Sequence, residues 1–405
     1  MITEAIRTGR LLPFQRVHSM PYLLPYRHRM MLPLRPLVAL LLLPLFCGGV
    51  CKPTMLGGPS KVDAIKLPPG FSISVFAENV TTARAMTYSP EGIVYAGSND
   101  AGDVYAIPDK NHDGVADTVI TILKGLTMPV GVAWHKGDLY ISAISRIIAL
   151  RDIDHHLTEP AATETVYDQL PTETHHGWKF IAFGPDGKLY VPVGAPCNIC
   201  LSENPLFASI ARMDPDGTGL EIVAHGVRNS VGFDWNPQDS SLWFTENGRD
   251  WMGDDMPSCE LDHLTSVGQH FGFPFCHQGD TLDAEFGVGK KCADYVSPVM
   301  KLGAHVAPLG MRFYKGGMFP SKYRGAIFIA EHGSWNRSKP VGYRVSVVFP
   351  DKNGSATKEV FAEGWLSGTS AWGRPVDVLE LPDGSLLVSD DAADTIWRIT
   401  YAISQ

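Results

Sequence analysis

Much of what this sequence lacks is informative. Charged residues make up only 19% of its 405 positions, and acidic ones outnumber basic ones for a formal net charge of −9. That excludes the basic footprint expected of a nucleic-acid surface. No glycine-rich loop follows a strand and opens a helix, so a nicotinamide or flavin Rossmann site is not expected. No serine nucleophile elbow is present either. Cysteine is sparse, with seven in all. Five follow residue 51: Cys197, Cys200, Cys259, Cys276 and Cys292. The segment CNIC (197–200) has no histidine after it, so it is not a haem-attachment site, and no second pair stands at zinc-ligand spacing. A local Cys197–Cys200 disulfide in an oxidising compartment is the remaining reading. Cys276–Cys292 is a candidate second bridge with Cys259 left over, a pairing that sequence alone does not fix.

The N-terminus differs from the rest. LPLRPLVALLLLPLFCGGVC (32–51) has Arg27, Arg29 and Arg35 nearby, an apolar centre at Leu37–Phe46 and small residues at Gly48 and Gly49. This is a signal-peptide layout, with Met30 or Met31 as an alternative start. An uncleaved anchor is the other reading, since the apolar run is near the lower limit for a bilayer span. Cys47 and Cys51 raise a lipoprotein, although the residues before each suit one poorly. Each reading places the following domain outside the cytoplasm, with any membrane association confined to this segment. The expected division is 1–51 extension and signal peptide or anchor, 52–64 linker, and 65–405 a single domain.

What is abundant is turn chemistry: 40 glycines and 30 prolines, which favour many turns over long helices. A unit of strand, Pro/Gly/Asp turn and strand recurs. It reads MTYSPEGIVYAG (86–97), VGVAWHKGDLYISA (130–143), FIAFGPDGKLYVPVG (180–194), VGFDWNPQDSSLWFTE (231–246), MRFYKGGMFPSKYRGAIFIAE (311–331) and VDVLELPDGSLLVSD (376–390). Further strand signals follow most copies, at 103–109, 146–152, 209–214, 343–350 and 395–400. Six copies at this period predict an all-β, six-bladed β-propeller of four-stranded antiparallel blades rather than a sandwich.

In a propeller the segment leading into each inner strand and the loop after the second strand reach the same face. The leading segments are 82–84, 128–130, 175–179, 225–229, 305–309 and 372–374. The returning loops are 98–102, 195–200, 247–255, 332–339 and 391–394. These are the most polar and aromatic short stretches of the chain, so a ligand site is expected at that mouth. His176 is the candidate general base, because imidazole titrates near neutrality, and His175 is its orienting neighbour. Arg228 offers a fixed fork for carboxylates, and Asn229 both a donor and an acceptor. TENGRDWMGDD (245–255) exposes carbonyls and carboxylates suited to a hard cation. DKNHDGVAD (109–117) spaces Asp109, Asn111, Asp113 and Asp117 like the start of a calcium loop. It has Gly114 for the turn but Ile120 where a bidentate Glu would stand. HGSWNRSK (332–339) supplies Trp335, Arg337 and Lys339, an indole beside cations.

Taken together, HHGWKFIAFGPDGKLYV, HGVRNSVGF, TENGRD with GDD, and EHGSWNR resemble the quinoprotein sugar dehydrogenases over roughly residues 65–400. These are the pyrroloquinoline quinone (PQQ)-dependent soluble glucose, aldose-sugar and L-sorbosone enzymes, and CNIC and EHGSWNR look most like the sorbosone branch. The resemblance implies PQQ over the channel mouth, with Ca²⁺ held partly by the backbone carbonyls of Gly248 and Arg249. It implies His176 as the base that takes the hydroxyl proton while hydride passes to the quinone. Arg228 is then also catalytic. Arg84, His176, Lys179, Arg228, Asn229, Asn247, Trp335, Arg337, Lys339 and Arg374 are implied cofactor contacts. PQQ carries three carboxylates, which suits converging arginines in an acidic protein. The expected substrate is a small sugar, aldose, sorbosone or similar. With no CxxCH haem segment, electrons are expected to leave to a separate quinone or cytochrome. Two other readings stay open: a propeller binding module that has lost the cofactor, and a Ca²⁺-dependent propeller lactonase. The second is disfavoured by mouth segments richer in His and Arg than in Asp and Glu.

Overall fold

The structure is a computed structural model, and it describes residues 61–351 and 355–402. The expected signal peptide or anchor and most of the linker lie outside the described residues. Among the described residues no helix is long and apolar enough to cross a membrane.

The repeating units fold into six four-stranded antiparallel sheets. Blade one is Ala83–Ser89, Ile93–Ser98, Val104–Pro108 and Ile120–Leu123. Blade two is Val132–His135, Asp138–Ala143, Arg146–Leu150 and Glu164–Tyr167. Blade three is Ala182–Phe183, Leu189–Val193, Ser209–Met213 and Glu221–His225, with Gln269–His270 added in parallel at its edge. Blade four is Phe233–Trp235, Leu242–Glu246, Ser258–Leu264 and Met300–Ala304, and blade five is Pro308–Phe313, Ile327–Glu331, Arg344–Pro350 and Ala356–Glu363. Blade six takes Pro375–Glu380, Leu386–Asp390 and Thr395–Tyr401, and closes the ring with Phe71–Glu78 from the other end of the domain. That closing strand, the outer strands of blades one, two, three and five, and the last two strands of blade four are additions to the strands read from the sequence.

Each blade is covered on both faces by its neighbours. The second strands Ile93–Ser98, Leu189–Val193, Ile327–Glu331 and Leu386–Asp390 are therefore buried at every position. One apolar cluster fills each of the six seams between blades. At about 1.5–3 kcal/mol for each fully buried large side chain, these seams supply most of the drive to close the ring. In the seam between blades five and six, the closing strand's Phe71 meets Phe319, Tyr323 and Phe361 edge-on at 4.7, 5.4 and 4.9 Å. At the axis the inner strands nearly touch: a Cβ on Gly232 would lie 2.2 Å from the Leu309 carbonyl oxygen. Val231, Leu309 and Val376 form an apolar plug there, with Trp178 against it.

Candidate active site

Above the plug lies a cavity of about 770 Å³. Its walls come from the leading segments and returning loops of several blades, among them Arg84, His176, Arg228, His332, Arg374 and Asp391. A repeated backbone device aims the leading segments. Thr82, Met128, His176, Gly226 and Ala307 all have positive φ (49, 50, 50, 65 and 51°), each two residues ahead of Arg84, Val130, Trp178, Arg228 and Leu309. Blade four spends a glycine on this position, whereas blade three places His176 there. For a side-chain-bearing residue that conformation costs about 1–2 kcal/mol. Thr82, Met128 and Ala307 carry the same strain, and His176 is the titratable member of the set.

His176 is 8% exposed. Its Nδ1 lies 2.8 Å from the Ala195 carbonyl oxygen. Only an N–H satisfies a carbonyl, so Nδ1 carries the proton and Nε2 keeps a free lone pair. Burial, then the charge of Arg228 and then His175, push the imidazole pKa down to about 2. The ring is neutral at every physiological pH. His175 packs edge-on at 4.1 Å between ring centroids. Gly194 lets the base sit this close to its blade, since a Cβ there would lie 2.5 Å from that of His176.

Arg228 is 3% exposed, and all five of its N–H donors are engaged. Nε gives to the Asn198 carbonyl at 2.9 Å. Nη1 gives to the Asn247 and Gly248 carbonyls, both at 3.0 Å. Nη2 gives to Asn198 Oδ1 at 2.9 Å and Asp250 Oδ2 at 3.3 Å. Arg228 therefore presents charge to the cavity rather than a spare donor. A direct hydrogen bond to a ligand requires release of one of the five, and the Asp250 contact is the longest. Behind it, Glu246 Oε1 accepts the Arg228 backbone N–H at 2.7 Å. Glu246, Glu260 and Asp262 form a buried acidic trio in which Glu246 Oε2 and both Asp262 oxygens lack a hydrogen-bond partner. Burial foremost, then mutual repulsion, raises the Glu246 and Asp262 carboxyls well above their usual range, and burial lifts Glu260 to about 7.

Across the cavity, Asp391 accepts from Arg84 Nη1 at 2.7 Å and from His332 Nε2 at 2.9 Å. Burial brings His332 down to about 4, so it is a neutral donor. Burial pushes the Asp391 carboxyl up, but His332 and Arg84 outweigh that and hold it below the ordinary range. Arg374 hydrogen-bonds only carbonyls with its guanidinium, those of His332 and Gly333 at 3.1 and 3.0 Å, and lies over the Tyr343 ring. Three guanidiniums, Arg84 and Arg228 buried and Arg374 half-buried, thus stand with two carboxylates, Asp391 and Asp250. Five cavity-lining polar atoms are buried without partners: Arg84 Nε, Asn99 Oδ1, Trp178 Nε1, Asn229 Oδ1 and Asn336 Oδ1. Buried polar atoms are normally satisfied. Two of these atoms are N–H donors and three are amide oxygen acceptors, so the set suits a ligand that both accepts and donates hydrogen bonds.

The cavity gathers His176, Arg84, Arg228, Asn229, Asn247, Gly248 and Arg374, with Trp335 on its rim. Other expected contacts point elsewhere. Lys179 is buried and its Nζ caps the Gly177 carbonyl at 2.9 Å. Arg337 turns outward to the Asp254 carbonyl and the Asp255 carboxylate, and Lys339 is exposed. The Arg249 guanidinium pairs with Asp283, while the Gly248 carbonyl accepts from Arg228 beside the Asn247 carbonyl. A cation bound there shares its oxygens with a guanidinium, so it needs an anionic ligand alongside. The 109–117 loop sits at the rim of blade one and closes on itself. Asp109 accepts from the Asp113 and Gly114 N–H groups, and Asp117 from that of Lys110. Among the described residues no group of three or more His, Cys, Asp or Glu is arranged to hold a metal. Among the described residues the disulfides are Cys197–Cys200 and Cys276–Cys292, with Cys259 free and buried.

Some residues in or beside the cavity were not singled out as site residues in the sequence. His332 and Asp391 lay within returning loops, and only their polar composition flagged them. Cys259 lies on a strand that the repeat did not reveal. Asn198 was legible only as the second residue of CNIC.

Fold and cavity together define a six-bladed propeller with an arginine- and histidine-lined ligand site at its axis. A family model described as TrAA12-like matches residues 211–402. An uncharacterized protein of Borreliella burgdorferi is 32% identical over 352 residues, 83% of this chain and 91% of that protein. The holo form of the pyranose dehydrogenase PQQ domain from Coprinopsis cinerea aligns with TM-score 0.70 at 18% identity, over 83% of this chain and 97% of that one. A calcium structure of a Trichoderma reesei Carbohydrate-Active Enzymes family AA12 protein aligns with TM-score 0.73 at 19% identity, over 84% and 97%. At these identities the two structures speak for the fold. Residues 211–402 match the TrAA12-like family, and the chain is a homologue of the Borreliella burgdorferi protein over most of its length.

Proposed function

We propose that this protein is a PQQ- and Ca²⁺-dependent dehydrogenase of small sugars that works outside the cytoplasm and hands its electrons to a separate acceptor. The observation that carries this reading is the cavity's imbalance. Three guanidiniums, two of them buried, two carboxylates and five unpartnered polar atoms surround a space of about 770 Å³. A flat tricarboxylate suits that set in charge and offers acceptors to the Arg84 and Trp178 N–H groups, while the three amide oxygens suit hydroxyl donors of a sugar. PQQ, when bound, supplies the hydride-accepting quinone.

The chain's own groups do the rest. Nε2 of His176 is unprotonated and faces the cavity wall region, so it accepts the proton of a substrate hydroxyl. Its low basicity suits a site that an anionic ligand then occupies, because negative charge nearby raises an imidazole pKa. Arg228 holds positive charge beside the base and favours the developing alkoxide. The Gly248 and Arg249 carbonyls are the candidate Ca²⁺ donors. Trp178 and the plug below keep bulk water from the axis. The two disulfides suit an oxidising compartment.

Reconstitution tests the reading. Purified protein is titrated with PQQ and CaCl₂, then assayed for dye reduction with a panel of aldoses, pentoses and sugar aldehydes. A quinone absorbance change and sugar-dependent dye reduction are expected. Absence of both overturns the proposal.

A further inference from the structure

We infer that Asn198, held in the short ring closed by Cys197–Cys200, is the positioning residue for Arg228. It fixes the guanidinium without cancelling its charge. The labelling test below is independent of the proposed function, and only the ligand arm rests on it.

The geometry is specific. Asn198 accepts two of the five Arg228 N–H groups, Nε on its carbonyl and Nη2 on its Oδ1, both at 2.9 Å. Its Oδ1 also accepts the Asp250 N–H at 2.8 Å, and its Nδ2 donates to the Asp250 carbonyl at 3.2 Å. Two donors meeting at one atom fix the amide orientation, since only an oxygen can serve there. Asn198 thus pins the returning loop of blade three to that of blade four, with Arg228 between them. A disulfide spanning three residues of sequence anchors the pin. Closing such a ring removes conformers that the open segment would sample.

The choice of side chain matters. Aspartate would accept from both donors, but it would turn an oxygen toward the Asp250 carbonyl that now accepts from Nδ2. It would also put a second carboxylate against Arg228, beside Asp250 at 3.3 Å, and leave the cavity less attractive to an anion. A neutral amide supplies the acceptor and keeps the net positive charge. The sequence offered this residue only as filler within CNIC.

The test uses the apo protein first. Phenylglyoxal modifies accessible guanidiniums, and mass spectrometry reads each arginine peptide. Arg374, in the same cavity but with no contact to Asn198, is the internal reference. Expected rates at Arg228 are slow in the wild type and in Asn198→Asp, and roughly tenfold faster in Asn198→Ala and in Cys197→Ser/Cys200→Ser, the size of one lost charge-assisted hydrogen bond. Arg374 is unchanged in all four. PQQ with Ca²⁺ is then titrated by fluorescence quenching. Asn198→Asp is expected to bind roughly tenfold more weakly than wild type despite its shielded Arg228, a split that a purely structural role would not produce. Equal Arg228 rates in wild type and Asn198→Ala overturn the positioning role. Wild-type affinity in Asn198→Asp overturns the charge argument. If Asn198→Ala accelerates Arg374 as well, it has lost the fold, and the serine pair and Asn198→Asp decide. Wild-type protein that does not bind PQQ defeats the proposed function, while the labelling rates still settle the role of Asn198.

Discussion

Replacing Gly194 with alanine should disable turnover while leaving the cofactor site nearly whole. The added methyl would lie 2.5 Å from His176 Cβ, 3.0 Å from the His176 carbonyl oxygen and 3.3 Å from Asn229 Oδ1. Carbon atoms settle at about 3.5–4.0 Å, so the nearest contact is short by about 1 Å. Gly194 itself has no left-handed φ, so alanine adds no backbone penalty and the effect is steric. His176 cannot simply retreat. Its φ of 50° and the 2.8 Å bond from Nδ1 to Ala195 hold it. Overpacking of this kind costs about 1–3 kcal/mol, a Tm loss of only a few degrees in a domain this large. Misplacing a catalytic group by about 1 Å costs about 100-fold in rate. The assay is sugar-dependent dye reduction by the reconstituted enzyme, with PQQ affinity and Tm alongside. We expect kcat to fall about 100-fold, PQQ affinity to stay within about threefold and Tm to drop slightly. A kcat within about threefold of wild type would refute the argument that turnover depends on where Gly194 lets His176 sit.

Two substitutions at His176 should separate chemistry from strain. His176→Gln should bind PQQ nearly as well as wild type and turn over about 100-fold more slowly or worse, because an amide accepts no proton. His176→Gly should also lose turnover, with a Tm within a few degrees of wild type, because relief of about 1–2 kcal/mol of φ strain is offset by the lost packing and the lost Ala195 hydrogen bond, about 1 kcal/mol. Unchanged turnover in either counts against the assignment. The acidic trio sets a pH dependence. Its pKa values are raised in the folded state, so the folded protein holds protons that the unfolded chain releases above about pH 4. The trio's contribution is intact below that pH and is lost as pH rises, for Glu260 through about 7. Asp262→Asn should therefore become progressively more stable than wild type from pH 5 to 8 by urea titration. A stability difference that stays flat or shrinks over that range would show that the trio carries no such proton excess.

The blade pattern was legible because each second strand is covered on both faces and so reads as an apolar, β-branched run beside a turn. Blade four's third strand, SCELDHL, hid because it buries Glu260 and Asp262, and a long excursion separates it from its partner Met300–Ala304. The closing strand FSISVFAE belongs to no copy of the repeat, and its partner lies at the far end of the domain. Composition located the mouth of the propeller well, because the leading and returning segments carry its histidines and arginines. It could not aim them. Arg249 turned to Asp283, 34 residues away, and Arg337 to Asp255, 82 residues away. Lys179 found a carbonyl two residues back. Such choices depend on partners that only the folded ring brings near.

Ring closure also has a consequence for biogenesis. Arg84 comes from blade one and Asp391 from blade six, 307 positions apart, and they meet only once the strand from the start of the domain has found the one at its end. At about 10 residues per second, a ribosome takes roughly half a minute to span that interval. Through that interval the growing chain gains its mouth loops one by one and has no finished pocket. A ligand that needs walls from both blade one and blade six therefore binds only after the last blade is made. A product truncated before Thr395 would carry His176 and Arg228 on an open arc with nothing to hold the last wall in place.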